Sequence, residues 1–251
     1  MTSLPGHSRL RVVSYNIQAA IGAMAPAHYV TKVHRQFLHV RAKDQILKRI
    51  GKVLEPYDIA CLQEIDLGGR RSNFESQVDG LFKATSFTEA AYQENRVVRR
   101  ISRHGNLILT RREMDEVHDM KLPARMGGRG ALIGCYPVAE GRMLTVVNLH
   151  LSLGQEDQRE QLHYLAEELA GHEHIIVCGD FNTSVGNKPL NALMRAVGLR
   201  VAGPPRPTYP SWKPRSAIDH ILVSRALKVE RYEALDAILS DHLPIAVELT
   251  L

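Results

Sequence analysis

Residues 175–182 read IIVCGDFN. Four apolar residues in a row, bounded by polar sequence, are the pattern of a strand buried on both faces. This run ends in a glycine, a carboxylate and an amide. The same form recurs outward along the chain. RVVSYN (11–16) is an apolar strand ending in Asn16, and DIACLQE (58–64) is one ending in Glu64. MLTVVNLHL (143–151) carries Asn148 and His150 late in the run, Asp219 and His220 open DHILV, and Asp241 and His242 precede LPIAVEL. Further strands are expected over 106–110, 130–136, 218–223 and 245–251. Helices are expected over 43–54, where Ile46, Leu47, Ile50, Val53 and Leu54 form a stripe, and over 157–170, with Leu162, Leu165, Ala166 and Leu169 on one face. A third spans 189–197, with Pro189 in its first turn and Gly198 as its stop. Strands outnumber helices, and several neighbouring strands have no crossover helix between them. An α/β fold of two stacked mixed sheets with helices outside is therefore favoured over one doubly wound sheet.

Composition sets the outer limits. A chain of 251 residues with 44% hydrophobic residues can bury a substantial core as one large domain or two small ones. The formal charge of +5 suits a polyanionic partner, either nucleic acid or an anionic membrane surface. The densest basic stretch, Arg96, Arg99, Arg100 and Arg103, also reads as a solvated face. Three cysteines without tight spacing, Cys61, Cys135 and Cys178, argue against a disulfide framework or a zinc site, and Cys61 and Cys178, each in an apolar run, fit buried thiols in a reducing compartment. The N-terminus lacks the apolar core of a signal peptide, and no stretch approaches a membrane span. A cytoplasmic monomer is expected, with residues 1–10 as a tail and 11–251 as a single domain. The segment 18–41 reads equally as a lid or as an irregular insertion.

A lone polar residue at a strand end is usually a cap or a turn. Six such ends of this mixed chemistry call for another account. Strand ends that point one way gather their side chains at one edge of a sheet, where a ligand can sit. Glu64, Asn16 and Asp241 offer hard oxygen donors with no soft ligand among them, which selects Mg²⁺ or Mn²⁺. His150 and His242 bring acid/base capacity near neutral pH. Asn182 and Asn16 can orient a phosphate oxygen or a water. A metal, a base and fixed donors make a phosphoester hydrolysis site. His220 is read as structural, because strand alternation turns it away from Asp219.

The motifs SYNI (14–17), LQE (62–64), NLHL (148–151), GDFN (179–182), IDHI (218–221) and SDHLPI (240–245), in this order, resemble the signatures of the endonuclease/exonuclease/phosphatase superfamily. The likeness runs over residues 11–251. It implies a four-layered α-β-β-α sandwich with the site at one edge of its two mixed sheets. It also implies roles. Glu64 resembles the principal Mg²⁺ ligand with Asn16 beside it, and Asp241 an acidic metal ligand. Asp180 resembles the carboxylate that positions or deprotonates water, and Asn182 the amide that holds that water or the phosphate. His242 resembles the histidine at the scissile phosphate, and Asp219 the carboxylate that fixes its tautomer. His150 resembles the histidine of the DNase- and sphingomyelinase-like branches and points away from the apurinic endonucleases. Whether Asp180 or His242 is the base stays open.

Weaker candidates surround these. Arg70 and Arg71 follow the Glu64 strand and read either as phosphate contacts or as a solvated turn. Asn106 reads as a site residue or as a structural amide. The aromatic pair Tyr209 and Trp212, in TYPSW (208–212), could stack on a base or head group, or Trp212 could pack the loop under the site. The expected activity is Mg²⁺-dependent hydrolysis of phosphodiester bonds, with nucleic acid slightly preferred. The alternative is a phosphodiesterase or phosphatase acting on phospholipid head groups or small phosphoesters. A catalytically dead binding module would be expected to lack Glu64, Asp180 or His242, and all three are present.

Overall fold

A computed structural model describes residues 9–22, 25, 41–69, 72, 74–98, 102–125, 128–138 and 141–251. Among the described residues, twelve strands form two six-stranded sheets. The first sheet holds β1 (Arg9–Asn16), β2 (Ile59–Asp66), β3 (Glu89–Val98), β4 (Ser102–Thr110), β11 (Lys228–Ala234) and β12 (Ile245–Thr250), in the order β11-β12-β1-β2-β4-β3. The second holds β5 (Glu116–Lys121), β6 (Gly130–Pro137), β7 (Met143–His150), β8 (His174–Asp180), β9 (Leu199–Val201) and β10 (Asp219–Ser224), in the order β5-β6-β7-β8-β10-β9. The described helices are α1 (Arg41–Leu54), α2 (Gln77–Ala84), α3 (Gln155–Glu168) and α4 (Lys188–Val197). Each sheet contains one parallel pair with a helix in the crossover: β1–α1–β2 and β7–α3–β8. The remaining pairs are antiparallel, so both sheets are mixed.

Three apolar layers account for the sandwich. Val12, Ile59, Cys61 and Ile108 of the first sheet meet Leu132, Val146, Ile176, Cys178 and Ile221 of the second. The outer face of the first sheet packs on Ile46, Leu47, Ile50 and Leu54 of α1 and Leu81 of α2. The outer face of the second packs on Leu162 and Leu165 of α3 and Leu190 and Leu193 of α4. A strand with apolar neighbours on both faces must be apolar throughout, which is why IIVC and IACL are unbroken runs. All three cysteines are buried. No described helix is long and apolar enough to cross a membrane.

The chain starts and stops its elements by local rules. Helix α4 begins where the Asn187 side chain accepts from Leu190 N, and it ends at Gly198, whose φ of 70° caps the last turn. Helix α3 begins at Gln155, two residues before the sequence pattern places it, because Gly154 takes the extended cap conformation. Strand β1 begins at Arg9, since Arg9 and Leu10 pair with Thr250 and Leu249. The sequence reading missed β3, β5, β9, β11 and α2.

Polar side chains cross between the sheets at the buried end of this core. Gln63 Nε2 donates to Asn148 Oδ1 at 2.7 Å and to Ser14 Oγ at 3.1 Å. Asn148 Nδ2 donates to the carbonyls of Leu62 and Leu107, each at 2.9 Å. Asn106 Nδ2 donates to Gln93 Oε1 at 3.1 Å and to Gly130 O at 3.0 Å. These amides fix how far one sheet slides over the other, because a shift of one residue would strand buried donors.

Gly179 shows how tightly β8 is held against β7. Its φ is 145°, and a Cβ there would lie 1.9 Å from the Leu149 carbonyl oxygen. Gly179→Ala is therefore expected to lower stability by at least about 2 kcal/mol. Urea unfolding at unchanged m-value reads this directly. A change below about 0.5 kcal/mol would show that β7 and β8 separate more easily than this packing implies.

Candidate active site

Strand register brings the chemistry to one edge. His150 is opposite Asp180 in the parallel β7–β8 pair, and Asp219 is opposite Asp180 in the antiparallel β8–β10 pair. Three adjacent strands thus carry His150, Asp180 and Asp219 in one row. Asn16 ends β1 across the seam, in the first sheet. Glu64 follows Gln63 in β2, where the pairing with β4 slips between Leu62 and Ile65. This bulge, with Glu64 at a φ of 57°, turns its carboxylate out of the ladder. Asn182 is also left-handed, at a φ of 51°. Two non-glycine residues in this region cost roughly 1–3 kcal/mol each, a price that local packing must offset.

Asp180 is the centre of the group. Its Oδ2 accepts from Asn16 Nδ2 at 3.1 Å and lies 3.4 Å from His150 Nε2 and 3.7 Å from His242 Nε2. Its Oδ1 accepts from the backbone N–H of Asn182 at 2.9 Å. Burial pushes the Asp180 carboxyl up to about 7, against the pull of His242. The His242 ring is oriented by Nδ1, which donates to Asp219 Oδ2 at 2.8 Å. Burial opposes charge on that ring, but Asp219 and Asp180 outweigh it and hold the imidazolium well above its ordinary range. Asp219 Oδ2 also accepts from Thr208 Oγ1, and the Tyr209 ring packs on His242 at 5.0 Å between centroids. His150 goes the other way: burial, Arg129 and His242 all keep it neutral. Two histidines flanking one carboxylate are thus driven to opposite protonation states.

A second corner lies beside the first. Asn16 Nδ2 is 3.4 Å from Glu64 Oε1, and Asn16 Oδ1 accepts from Gln18 N at 3.1 Å. Gln18 Nε2 donates to Asp241 Oδ2 at 2.9 Å. Glu64 is pushed up first by burial and then by the charge of Asp241, with His242 and Arg129 pulling the other way. Two mutually repelling carboxylates, with no sulfur beside them, fit a hard divalent cation. Asp180, Asp219 and His242 also lie close enough together to hold an ion. In that group, however, Asp219 Oδ2 already accepts two hydrogen bonds and His242 Nδ1 is committed to it, which reads better as a relay to His242.

The eight principal residues expected from sequence, Asn16, Glu64, His150, Asp180, Asn182, Asp219, Asp241 and His242, converge here. Asn182 Nδ2 donates to Leu151 O at 2.9 Å, so part of its amide is used within the fold. Asn106 borders the cleft, but its amino group serves the inter-sheet network; its Oδ1 has no hydrogen-bond partner among the described residues. Trp212 is half-buried in its loop, and the aromatic ring that meets the site is Tyr209. Arg70 and Arg71 lie outside the described residues, as does nearly all of the 18–41 segment apart from residues 18–22, 25 and 41. His220 is structural as expected: Nε2 meets Thr183 O at 2.7 Å, and the ring tilts against Phe181.

Arg129 was missed. Its Nη1 lies 2.8 Å from His150 Nε2 and 3.1 Å from Nδ1. It is placed by register, since Gly130 pairs with His150 in the antiparallel β6–β7 ladder. An antiparallel strand brings its first residues, not its last, to this edge. Gln18 and Thr208 were missed because each acts from a loop. A cleft of about 610 Å³ runs outward from Glu64 and His150 past Arg96, His104, Arg125 and Arg129.

The model of the endonuclease/exonuclease/phosphatase family matches residues 13–242. The chain belongs to this family. Among curated relatives it is 42% identical to a UPF0294 protein of Yersinia enterocolitica over 76 residues, which is 28% of this chain and 29% of that protein. It is 32% identical to a UPF0294 protein of Vibrio cholerae over 132 residues, 49% of this chain and 46% of that protein. The chain thus spans less than half the length of these relatives. Among solved structures, a mannosyl-6-phosphatase of Bacteroides thetaiotaomicron superposes with a TM-score of 0.75 at 20% identity, over 96% of this chain and 100% of that one. The human nocturnin catalytic domain with bound sulfate gives 0.71 at 19% identity, over 97% of each chain. Both share the family's fold.

The relay from Asp219 to His242 makes a specific prediction. Asp219→Asn and His242→Ala should each lower kcat on the order of 10²-fold, and the double variant should lose little more than His242→Ala alone. Single and double variants assayed on one phosphoester substrate give the coupling. Multiplicative losses would mean that the two residues act separately.

Proposed function

We propose that this chain is a phosphoesterase that hydrolyses phosphodiester bonds with Mg²⁺, or Mn²⁺ in its place, and that its preferred substrate is a nucleic-acid strand. The carrying observation is Asp180, buried and reached at once by Asn16, His150 and His242. Glu64 and Asp241 would hold the cation, with Asn16 beside them. When bound, it would neutralise charge on the phosphate and favour attack by water.

The chain's own groups do the rest. Asp180 accepts the proton of the attacking water, with Asn182 N–H fixing the orientation of its carboxylate. His242, aimed by Asp219, presents Nε2 to a phosphate oxygen. Neutral His150, held by Arg129, borders the same phosphate and adds no charge of its own. The arginine beside it supplies positive charge where negative charge grows during phosphoryl transfer.

The preference for a strand rests on the cleft beyond the site. One phosphate needs few cations, yet Arg96, Arg125 and Arg129 all border this cleft. Arg125 shares its charge with Asp157 at 3.7 Å, so Arg96 and Arg129 are the main contributors. A second reading, a lipid head group or small phosphoester, is favoured by Leu153, which is 76% exposed on the rim of the same cleft.

Two experiments test these readings. EDTA should abolish turnover, Mg²⁺ or Mn²⁺ should restore it, and Glu64→Gln should weaken metal binding at least about tenfold. Full activity in EDTA would rule out the metal assignment. For the substrate, KM on an oligonucleotide should rise steeply with salt, with a slope of about 0.7–0.9 per phosphate contact. Arg96→Ala should flatten that slope by roughly one unit without changing metal affinity. A soluble monoester should show only a shallow dependence. An oligonucleotide left intact at every salt concentration, with a lipid or small diester cleaved, would replace the strand by the second reading.

A further inference from the structure

On the outer face of the second sheet, about 16 Å along β7 from His150, lies a cluster that the phosphoesterase chemistry does not use. Glu116 and His118 occupy alternate positions of edge strand β5, so they share a face. Cys135 of β6 is directly opposite Glu116. Ligand atoms of Glu116, His118 and Cys135 all lie within 4.8 Å of one another. His118 Nε2 and Glu116 Oε2 are 3.2 Å apart. Two ligands each roughly 2.1 Å from a tetrahedral Zn²⁺ would stand about 3.4 Å apart. The same row continues on β7, where Thr145 is opposite Cys135 and its Oγ1 meets His172 Nδ1 at 2.7 Å.

We propose that Glu116, His118 and Cys135 form a binding site for a thiophilic divalent cation, with Zn²⁺ as the best fit. A thiolate, an imidazole and a carboxylate are the donor types that Zn²⁺ takes, and they differ from the all-oxygen corner at Glu64. On binding, Cys135 releases its proton to solvent as the zinc–sulfur bond forms. Neutral His118 gives a nitrogen lone pair, Glu116 gives one oxygen, and water completes the fourth position.

The rival account is that Glu116 and His118 are charges that guard an exposed sheet edge. That account explains their exposure. It does not explain why the side chain opposite Glu116 is a thiol within ligand distance of both. Asp115 and Glu116 also face Cys135 with negative charge, which favours a cation there.

The test uses the full chain, stripped with EDTA and kept in excess Mg²⁺. Titration with Co²⁺ should produce a sulfur-to-cobalt charge-transfer band that saturates at one equivalent and disappears as Zn²⁺ displaces the cobalt. Cys61 and Cys178 are buried in the inter-sheet core, so Cys135 is the thiol that reports. His118→Ala, at an exposed position that tolerates change, should weaken Zn²⁺ binding at least about tenfold and leave phosphoester turnover unchanged. Cys135→Ser should remove the band, whereas Glu64→Gln should keep it. Absence of the band in the unaltered protein would overturn the site. So would a band that survives Cys135→Ser, or unaltered Zn²⁺ affinity in His118→Ala.

Discussion

The Asp180 carboxylate is buried where the two sheets meet, and burying an anion without partners costs several kcal/mol. Its partners cannot come from one sheet alone. Asn16 reaches it from the first sheet, His150 from the second, and His242 from the loop that leads into β12. The two sheets must therefore stay in fixed alignment. The amides Gln63, Asn148 and Asn106 hold that alignment a few residues deeper in the same seam. Loss of register there would leave buried donors unpaired and would also separate the groups that surround Asp180. Stability and chemistry thus depend on the same contact between sheets.

Backbone geometry carries much of the precision. Gly179 brings β8 against Leu149 so closely that a side chain has no room, and this sets the distance from Asp180 to His150. Glu64 and Asn182 adopt left-handed conformations on either side of the seam. Each points a polar group at a place where regular strand geometry would not. The two sheets contribute in parallel fashion. Asn16 and Glu64 come from the pair linked by α1, and His150 and Asp180 from the pair linked by α3. The Glu64 corner, proposed for the metal, belongs mainly to the first pair, and the Asp180 corner, proposed to accept the proton, to the second.

The parts of this arrangement that were legible in sequence share a cause. IIVC and IACL are apolar on both faces because helices or a second sheet cover each face, so the runs are unbroken and their polar ends stand out. Edge strands lack that constraint. β5 is exposed at Glu116, Val117, His118 and Asp119, and β11 is nowhere fully buried, so neither alternates cleanly. Helix α2 is short and contains Gly80, which lies against Leu47, so its pattern is weak. In the site, carboxylates and histidines at the ends of buried strands could be read. Arg129 could not, because a single arginine in a turn carries no pattern that sets it apart, and only the register that puts Gly130 opposite His150 brings it to the site. Gln18 and Thr208 act through loop conformations that no periodicity announces.

The proposed chemistry depends most on the division of labour between the two acidic corners. Diffraction from crystals soaked in Mn²⁺, recorded so that manganese scatters anomalously, locates the cation without reference to activity. The expected result is a peak between Glu64 and Asp241, within bonding distance of both carboxylates and beside Asn16, with Asp219 still accepting from His242. A peak bonded instead to Asp180, Asp219 and His242, with the Glu64 corner bare, would contradict it.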